Sequence, residues 1–477
     1  MASAIPATTL PLRTIPGSYG LPVLGPLKDR FDYFWFQGPE TFFRDRMLKH
    51  KSSVFRTNMP PTFPFFINTN PKVIAVLDTK SFSTLFDISL VEKKDVLVGD
   101  YMPSTSFTGN LRVLAYLDPS EPRHSPIKSF AMDVLKSSSR VWVSELQNNL
   151  QIMWESIELD LAKNGKASFI LPLQKCVFRF LTISLVGADP NTRPEIGEAG
   201  FAMLDTWLAL QLLPTTKVGV IPQPLEELLL HSLPFPSFLV KPGYNKLYKF
   251  IEEEGKEVIL KGQKEYGLTK EETIHNLLFV LGFNAFGGFS VFLPTLLSTI
   301  GRDKSGLQEK LRVEVREKGK SGLSFETVGQ MDLLKSTVYE ALRLNPPVPL
   351  QYARARKNFM LSSHDSSYEI QKGELLCGYQ PLVMRDPEVF VNPEEFVADR
   401  FTEGKGGKEL LNSLFWSNGP QTGTPSASNK QCAAKDYVVA SAALLLAWIF
   451  TRYDEFTCDD SSLTITQAVK ASSTVGV

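Results

Sequence analysis

The strongest constraint on how this chain can fold is a long central stretch, residues 277–301, that contains no charged side chain. A helix of this length is long enough to span a bilayer. The stretch also contains Asn284, Ser290 and Pro294. A helix that is apolar on all faces is equally typical of the centre of a large globular protein. The stretch alone leaves both placements open, so the choice depends on other motifs.

Cys432 lies directly ahead of a second apolar stretch, residues 437–450, which we predict to be a helix too short to span a bilayer. Backbone N–H groups and the helix dipole are expected to lower the pKa of a thiol at a helix N-terminus. Lys430 and Lys435 would add positive charge there. Such a thiolate can bind iron. Most cysteines near a helix start are small buried hydrophobic residues, however, so this position does not decide the function.

Two further motifs precede Cys432. Glu340 and Arg343 are three residues apart, so on a helix they share one face and can pair. The prolines at 346–347 are then expected to end that helix. The third motif lies at residues 393–401 and includes Arg400. A Glu–Arg pair alone is usually an exposed surface pair, so the order of all three motifs carries the interpretation.

In this order and spacing, the motifs resemble those of the cytochrome P-450 superfamily of heme-thiolate proteins. The resemblance implies a mainly α fold with minor β content, heme b as the cofactor, and Cys432 as the thiolate ligand of its iron. It also implies that Glu340, Arg343 and Arg400 form a buried triad. Residues 277–301 become the buried central helix over the heme. We expect residues 1–30 to be an extended lead-in and residues 31–477 to form a single heme-thiolate catalytic domain.

The composition excludes several classes of protein. The 51 basic and 51 acidic residues balance, which argues against nucleic-acid binding because that function needs a basic face. The four cysteines are widely spaced and form no CxxC pair, which favours a reducing compartment over a disulfide scaffold or zinc site. The first residues lack a long apolar run, so we expect no transmembrane anchor. They faintly resemble a plastid transit peptide. Plastid, peripheral membrane and cytoplasmic locations stay open.

The chain departs from the pattern of an oxygen-activating enzyme. In such enzymes the central helix carries an acidic residue followed by Thr, which deliver protons during dioxygen activation. Residues 282–288 contain neither. Lys430 and Ala434 replace the usual Arg and Gly around the thiolate, and residues 418–425 look like an insertion. A heme without the proton relay is poorly equipped to split dioxygen, but it can split a peroxide bond already present in a substrate. No reductase or NADPH is then needed.

These departures resemble one plant subfamily, the fatty-acid hydroperoxide enzymes: allene oxide synthases, hydroperoxide lyases and divinyl ether synthases. The chain is most similar to hydroperoxide lyases that act on 13-hydroperoxides. The supporting segments are residues 15–20, 70–73, 91–95, 117–122, 208–211, 220–227, 283–288, 417–420, 422–428 and 429–432.

Leu97 gives a physical reason for this choice within the subfamily. Allene oxide synthases typically have Phe at the matching position, where an aromatic face can stabilise positive charge developing on the substrate. Leu97 offers no such face. The substrate radical is therefore expected to regain the hydroxyl and form a short-lived hemiacetal, which breaks into an aldehyde and an oxo-acid. The alternative is that Leu97 is only a core residue.

The resemblance also assigns roles to other residues. Asn284 would lie over the iron and hydrogen-bond the hydroperoxide, unless it is simply a satisfied buried amide. Lys93, His124, Lys128 and Lys430 match positions that bind the heme propionates, although each could be an ordinary surface cation. Ser290 stands where some allene oxide synthases have Lys. Allene oxide synthase, divinyl ether synthase and a catalytically silent lipid-surface protein remain the alternatives.

Overall fold

The computed structural model describes residues 10–66, 68–459 and 463–471, and confirms the prediction of a mainly α protein with minor β content. The α-helices are α1 Leu24–Phe31, α2 Pro39–His50, α3 Thr79–Ser83, α4 His124–Asn164, α5 Ile170–Val186, α6 Pro194–Leu212, α7 Gln223–Leu229, α8 Lys241–Glu254, α9 Lys256–Tyr266, α10 Lys270–Phe279, α11 Gly287–Gly301, α12 Leu307–Lys318, α13 Phe325–Gly329, α14 Asp332–Leu344, α15 Gln380–Val383, α16 Gly407–Leu410 and α17 Lys435–Arg452. The strands are β1 Val54–Asn58, β2 Lys72–Val76, β3 Val91–Glu92, β4 Ala167–Ser168, β5 Leu350–Ala355, β6 Phe359–Ser362, β7 Ser367–Ile370, β8 Leu375–Tyr379, β9 Tyr453–Cys458 and β10 Thr464–Lys470.

The strands form three sheets. The largest has the order β1-β2-β8-β5-β3, and only β2 and β8 run parallel, with Ile74 opposite Leu376. Every residue of β8 is buried, which accounts for its nearly continuous apolar sequence. A three-stranded sheet has the order β4-β10-β9, and β6 and β7 form a hairpin.

The uncharged central stretch lies inside the helical part of the protein. It belongs to one continuous helical run, Lys270–Gly301, made of α10, a π-helical segment Val280–Phe286 and α11. By length and composition this run could cross a membrane, but 61% of its most apolar window is buried within the protein. It packs against α5, α6 and α14. The run is therefore placed as the resemblance predicts, as a central helix.

Close approach between α6 and this central run depends on two glycines. A Cβ atom at Gly282 would lie 2.8 Å from Leu204 Cδ2, and one at Gly287 would lie 2.6 Å from Leu208 Cδ2. A side chain at either position would therefore require the leucine that it meets to shift. The two glycines let the central run approach α6 closely without such a shift.

The predicted triad of Glu340, Arg343 and Arg400 is confirmed. Arg343 binds the Glu340 carboxylate in a bidentate manner, at 2.7 Å from Nε to Oε2 and 2.8 Å from Nη2 to Oε1. Arg400 Nε lies 3.1 Å from both carboxylate oxygens. Arg343 also donates to the backbone carbonyls of Met384 and Pro393, at 2.8 and 2.7 Å. These contacts attach the segment around residues 391–400 to α14.

The lead-in prediction is wrong over residues 24–30, because α1 begins at Leu24. The turn-like residues Gly25 and Pro26 suggested extended chain, but they occupy the first turn of the helix, where a proline needs no backbone donor. Residues 10–23 are not helical and join the body through two bridges, Leu12 with Ser367 and Gly17 with Arg56. Residues 1–9 lie outside the described residues.

Breaking the triad should destabilise the fold strongly. Glu340→Gln leaves two buried guanidinium groups without their shared carboxylate, and removing one partner of a buried ion pair costs about 3–5 kcal/mol. Glu394→Gln is the matched control, because Glu394 pairs with Arg44 at 2.8 Å on the surface and such pairs contribute about 1 kcal/mol or less. Urea unfolding followed by tryptophan fluorescence measures both, and equal midpoints would contradict the structural role of the triad.

Candidate active site

The loop that carries Cys432 is built around the side chain of Gln431. Gln431 Nε2 donates to the carbonyl of Pro420 at 2.6 Å and to Ser417 Oγ at 3.3 Å. The backbone N–H of Cys432 donates to the carbonyl of Ser417 at 2.9 Å. A Cβ atom at Gly423 would lie 2.6 Å from Gln431 Oε1, so only glycine lets the loop close this tightly. The apparent insertion at 418–425 is therefore an ordered wrapping of the chain around Gln431.

Asn418 connects this loop to the candidate heme-binding lysines, and the sequence analysis did not identify it. Its backbone has a positive φ of 61°, a conformation that Asn tolerates well. Asn418 Nδ2 donates to the carbonyl of Lys430 at 2.9 Å, and Oδ1 accepts a hydrogen bond from Lys93 Nζ. The Asn-Gly pair at 418–419 was the available signal, since this pair is typical of a tight turn.

The predicted lowering of the Cys432 thiol pKa is wrong for the protein alone. Burial raises the pKa of this thiol because surroundings of low polarity disfavour the thiolate, and the charge of Lys128 and the Ala434 N–H offset this only in part. Cys432 also lies three residues before α17 rather than at its first turn. The ammonium group of Lys435, which we expected to add positive charge beside the thiol, donates a hydrogen bond to the carbonyl of Gln421 at 2.7 Å. A bound metal cation would supply the missing positive charge and hold the sulfur as thiolate.

The four predicted propionate-binding residues come from three separate segments. Lys93 follows β3, and Lys430 precedes Cys432. His124 and Lys128 lie in the first turns of α4, on one face as predicted. Lys430 Nζ donates to the carbonyls of Leu114, Ala115 and Leu117, at 2.9, 3.1 and 2.8 Å. Lys128 Nζ donates to the carbonyl of Gln431. All three segments thus meet beside the Cys432 loop, and a cavity of about 210 Å³ is lined in part by Lys93 and Lys430.

The charges of the four predicted propionate-binding residues suit a bound dianion. Burial and the charge of Lys430 lower the pKa of Lys93 to about 7, and burial and the charge of Lys128 lower the pKa of Lys430 to about 7. Burial, Lys430 and Lys128 lower the pKa of His124 to about 4, so His124 is neutral rather than cationic in the protein alone. Two carboxylates placed here would reverse these shifts.

Two further observations support the fit of heme propionates. The charge of Asp118 raises the pKa of Lys93 and of Lys430 but does not outweigh burial, and its carboxylate is already engaged by the backbone N–H of Lys93 at 2.7 Å and by the guanidinium of Arg356. His124 donates from Nδ1 to the carbonyl of Ala427 at 3.1 Å, and its buried Nε2 has no hydrogen-bond partner in the described part of the chain. A buried polar atom without a partner costs free energy, which a ligand could recover.

Asn284 lies in the π-helical segment, on the face of the central run that α6 does not cover. Its side chain is exposed and makes no hydrogen bond with any of the described residues. Gly288, four residues later, has no atom within 4 Å of an added Cβ. The two positions therefore share an open face of an otherwise buried helix. This geometry argues against the alternative in which Asn284 is a satisfied buried amide.

Leu97 lies in a short loop after β3 and forms an isolated bridge with Gly99. Its side chain is partly buried and packs on the main hydrophobic core, on which Phe283 and Ala433 also pack. The residues next to Asn284 and Cys432 thus share a core with Leu97. This packing is compatible with contact to a substrate and with a purely structural side chain.

The protein-ligand set around Cys432 is too small for a simple metal site. Within residues 10–66, 68–459 and 463–471 there is no group of three or more His, Cys, Asp and Glu side chains that could hold a metal ion. A single sulfur fits an iron whose other ligands come mainly from a macrocycle. Together with the cationic group beside it, the site therefore fits heme.

Comparison with known proteins agrees with this geometry. The sequence model of the cytochrome P-450 family matches residues 258–421 and ends in the loop before Cys432. The heme domain of cytochrome P-450DA has the same fold, with a TM-score of 0.68, 16% sequence identity and coverage of 95% of this chain and 96% of that one.

Relatives with much higher identity narrow the family. Linolenate hydroperoxide lyase of Arabidopsis thaliana is 61% identical over 96% of this chain and 93% of its own length. Fatty acid hydroperoxide lyase of Solanum lycopersicum is 60% identical over 96% of both chains. Allene oxide synthase of Linum usitatissimum is 45% identical over 94% of this chain and 83% of its own length. The chain therefore belongs to the fatty-acid hydroperoxide lyases, within the cytochrome P-450 family of heme-thiolate proteins.

Proposed function

We propose that this protein cleaves a 13-hydroperoxide of a polyunsaturated fatty acid into a short-chain aldehyde and an oxo-acid, without NADPH, a reductase or dioxygen. The observation that carries the proposal is the amide of Asn284, which has no hydrogen-bond partner among the described residues and lies in the uncharged part of the central helix, residues 277–301. The names of the two hydroperoxide lyases at about 60% identity support the same reaction.

The binding residues divide into one for iron and four for the propionates. Cys432 would hold the heme iron through its thiolate, and heme held in this way would supply the chemistry that cleaves an O–O bond. Lys93, Lys128 and Lys430 would donate charge-assisted hydrogen bonds to the propionates, and His124 would do so from Nε2 once it is protonated. Residues 31–477 act as a single catalytic domain in this proposal.

Asn284 positions the substrate. Its amide group can donate one hydrogen bond to an oxygen of the hydroperoxide and accept another from the O–H, which orients the O–O bond for cleavage. The central run from residue 277 to 301 offers no acid that could deliver protons to dioxygen. A substrate that already contains the peroxide bond removes the need for such a relay and for electrons from a reductase.

Leu97 sets which product forms after O–O cleavage. The substrate radical either loses an electron and becomes a cation, which leads to an allene oxide, or regains the hydroxyl and becomes a hemiacetal. Leu97 offers no aromatic face to a cation, so the second route prevails. The hemiacetal then breaks into the aldehyde and the oxo-acid. A difference of about 1.4 kcal/mol between the two barriers changes the product ratio tenfold.

Identity alone does not separate an active enzyme from a silent relative. A protein of Arabidopsis thaliana that is 59% identical over 79% of this chain is described as a probable inactive linolenate hydroperoxide lyase. The presence here of Cys432, of an unpartnered Asn284 and of the cationic group favours an active enzyme. Allene oxide synthase is the second candidate, and Leu97 argues against it.

The names of the relatives point to the plastid, and an apolar surface suggests how the protein reaches lipid substrates there. Arg30 is buried between the carbonyl of Phe63, at 2.8 Å, and the carboxylate of Glu227, at 3.2 Å. Arg30 thereby joins α1, the loop around Phe63 and α7. We call the exposed apolar side chains of these segments and their neighbouring residues the apolar surface: Leu21, Val23, Leu24, Phe36, Phe63, Phe65, Val220, Ile221, Leu225, Leu228 and Leu229. We propose that this surface rests on a membrane.

Product analysis tests the proposed reaction directly. Purified protein loaded with heme is incubated under argon, without NADPH, with 9- and 13-hydroperoxides of linoleic and linolenic acid. We expect the 13-hydroperoxides to give a C6 aldehyde and a C12 oxo-acid. A strict requirement for NADPH would instead indicate a monooxygenase. A mainly α-ketol product would indicate an allene oxide synthase.

Replacing Cys432 by Ala should remove the thiolate signature from the heme absorption spectrum and abolish turnover, because alanine has no sulfur that could bind the iron. Cys176→Ala is the control, since Cys176 is buried in α5. Undiminished turnover by Cys432→Ala would refute the assignment of the ligand.

Asn284→Ala should lower the turnover rate by roughly 10²-fold, the usual loss for one positioned polar group, while heme content stays normal. The matched control is Asn345→Ala, which removes an amide just after α14. Rates of 13-hydroperoxide consumption measure the effect, and an unchanged rate would leave Asn284 with a structural role only.

Leu97→Phe should divert part of the flux to allene oxide, detected as its α-ketol hydrolysis product. A cation–π contribution of roughly 0.5–2 kcal/mol is enough to change the partition severalfold. Leu97→Met serves as a control of similar volume without an aromatic face. If the Phe variant gives the wild-type product ratio, Leu97 does not control the branch.

Replacing Leu225, Leu228 and Leu229 together by Ser should weaken binding to lipid vesicles by more than about tenfold, because burying each leucine fully contributes roughly 1.5–3 kcal/mol. The control replaces three exposed residues of α4, Val141, Ile152 and Leu159, by Ser. Vesicle pelleting measures both. Equal binding of the two triple variants would exclude the apolar surface as the contact.

A further inference from the structure

A buried tyrosine–histidine pair in the core has no part in the proposed reaction. Tyr244 Oη lies 2.6 Å from His275 Nδ1, and the two rings stack in parallel with centroids 5.7 Å apart. Burial lowers the pKa of His275, so Nδ1 is free to accept the phenol proton. Burial also raises the pKa of Tyr244, so the phenol does not ionise by itself. This pairing is suited to losing a proton and an electron together.

An oxidisable indole lies between this pair and the central helix. The Trp207 ring centroid is 5.7 Å from that of Tyr244 and 6.4 Å from that of Phe283, the residue before Asn284. Trp207 Cζ3 would also lie 3.1 Å from a Cβ atom at Gly282. Its Nε1 donates to the carbonyl of Phe107 at 2.9 Å, which fixes the ring. The indole therefore contacts the same π-helical segment that presents Asn284.

The other end of the series approaches the surface. The Tyr248 ring centroid is 5.0 Å from that of His275, and Tyr248 is only partly buried. Tyr248 follows Tyr244 by one turn of α8, so both side chains lie on one face. An unbroken series of ring contacts thus leads from the segment at residues 282–284 through Trp207, Tyr244 and His275 to a partly exposed phenol.

We propose that Trp207, Tyr244 and Tyr248 form a one-electron relay that returns the enzyme to its resting state when a substrate radical escapes. The proposal rests on the proposed cleavage of hydroperoxides. Homolysis of the O–O bond would leave the site one electron short whenever the alkoxyl-derived radical departs without the hydroxyl group. Tyr244 would replace that electron through Trp207 and transfer its phenol proton to His275 Nδ1. The hydroxyl group would take up one proton from solvent, balanced by the proton that Tyr248 later releases to solvent, and leave as water.

The remaining step restores the relay. The Tyr244 phenoxyl radical takes an electron from Tyr248 and recovers its proton from His275 Nδ1. Tyr248 loses its own phenol proton to solvent. A soluble reductant of the ascorbate class then supplies one electron and one proton, which restore the Tyr248 phenol. Phe279 and Phe283 pack against Trp207 but are not oxidised, because a benzene ring holds its electrons much more tightly than an indole or a phenol.

The hydrogen bond to His275 explains why the radical settles on Tyr244. A phenol that has lost an electron is a far stronger acid than an imidazolium, so it gives up its proton to a hydrogen-bonded imidazole. Moving the proton along the 2.6 Å hydrogen bond keeps the phenoxyl neutral and places the charge on the imidazole. The charge stays within one hydrogen-bonded pair, so little reorganisation of the surrounding apolar side chains is needed.

The test is freeze-quench electron paramagnetic resonance on the heme-loaded enzyme, mixed either with a 13-hydroperoxide or with peracetic acid. Wild type should give a phenoxyl radical signal that Tyr244→Phe loses, because this variant keeps the ring and removes only the hydroxyl. Tyr33→Phe, at a buried tyrosine of a separate core cluster, should keep the signal. A wild-type signal unchanged in Tyr244→Phe, or no protein radical in wild type with either oxidant, would overturn the relay.

A second measurement separates the relay from the lyase assignment. Tyr244→Phe should keep the wild-type initial rate and heme spectrum but complete severalfold fewer turnovers before inactivation, and ascorbate should prolong activity only in wild type. Equal turnover numbers would overturn the protective role. If peracetic acid gives the Tyr244 radical while fatty-acid hydroperoxides give no aldehyde, the relay stands and the proposed lyase reaction fails.

Discussion

The buried Glu340 carboxylate, shared between Arg343 and Arg400, is the interaction on which the site depends. Arg343 donates a hydrogen bond to the carbonyl of Met384, and the backbone N–H of Phe415 donates one to Met384 Sδ at 3.3 Å. Two residues further along the chain, the carbonyl of Ser417 accepts a hydrogen bond from the backbone N–H of Cys432. The triad formed by Glu340, Arg343 and Arg400 is thus connected, through hydrogen bonds and a short stretch of chain, to the position of the candidate thiolate.

The loop around Cys432 holds positive charge that nearby acids offset only in part. Lys93 and Lys430 are held by amide and carbonyl oxygens, which satisfy their N–H groups, and the charge of Asp118 does not outweigh the effect of burial on either lysine. The lowered pKa values of both lysines and of His124 express the cost of this arrangement. Protein atoms thus prepare the positions for carboxylates, and a bound dianionic cofactor would stabilise the folded protein as well as equip it for chemistry.

The central helix shows how one apolar segment can serve two purposes. Gly282 and Gly287 lie close to Leu204 and Leu208 of α6, while Asn284 is exposed and the position of Gly288 is open. The π-helical turn lies at this point, as such turns often do at functional sites. Trp207 of α6, which contacts the glycine face, also begins the aromatic series towards Tyr244. The packing of α6 against the central run therefore also places the π-helical segment at one end of this series of ring contacts.

The sequence by itself determined the class of the protein, the thiolate candidate and the triad, because these rest on motifs whose order and spacing survive without coordinates. It also indicated the missing proton relay, since an absent acid can be read directly. Only the tertiary structure decided the state of the charges and the contacts of Gln431 and Asn418. The pKa of Cys432 is raised rather than lowered because burial, which depends on long-range packing, outweighs the local effect of a helix start. The Trp207–Tyr244–His275 series could not be predicted from the sequence for the same reason, because its members are distant in sequence and come together only when α6, α8 and α10 pack.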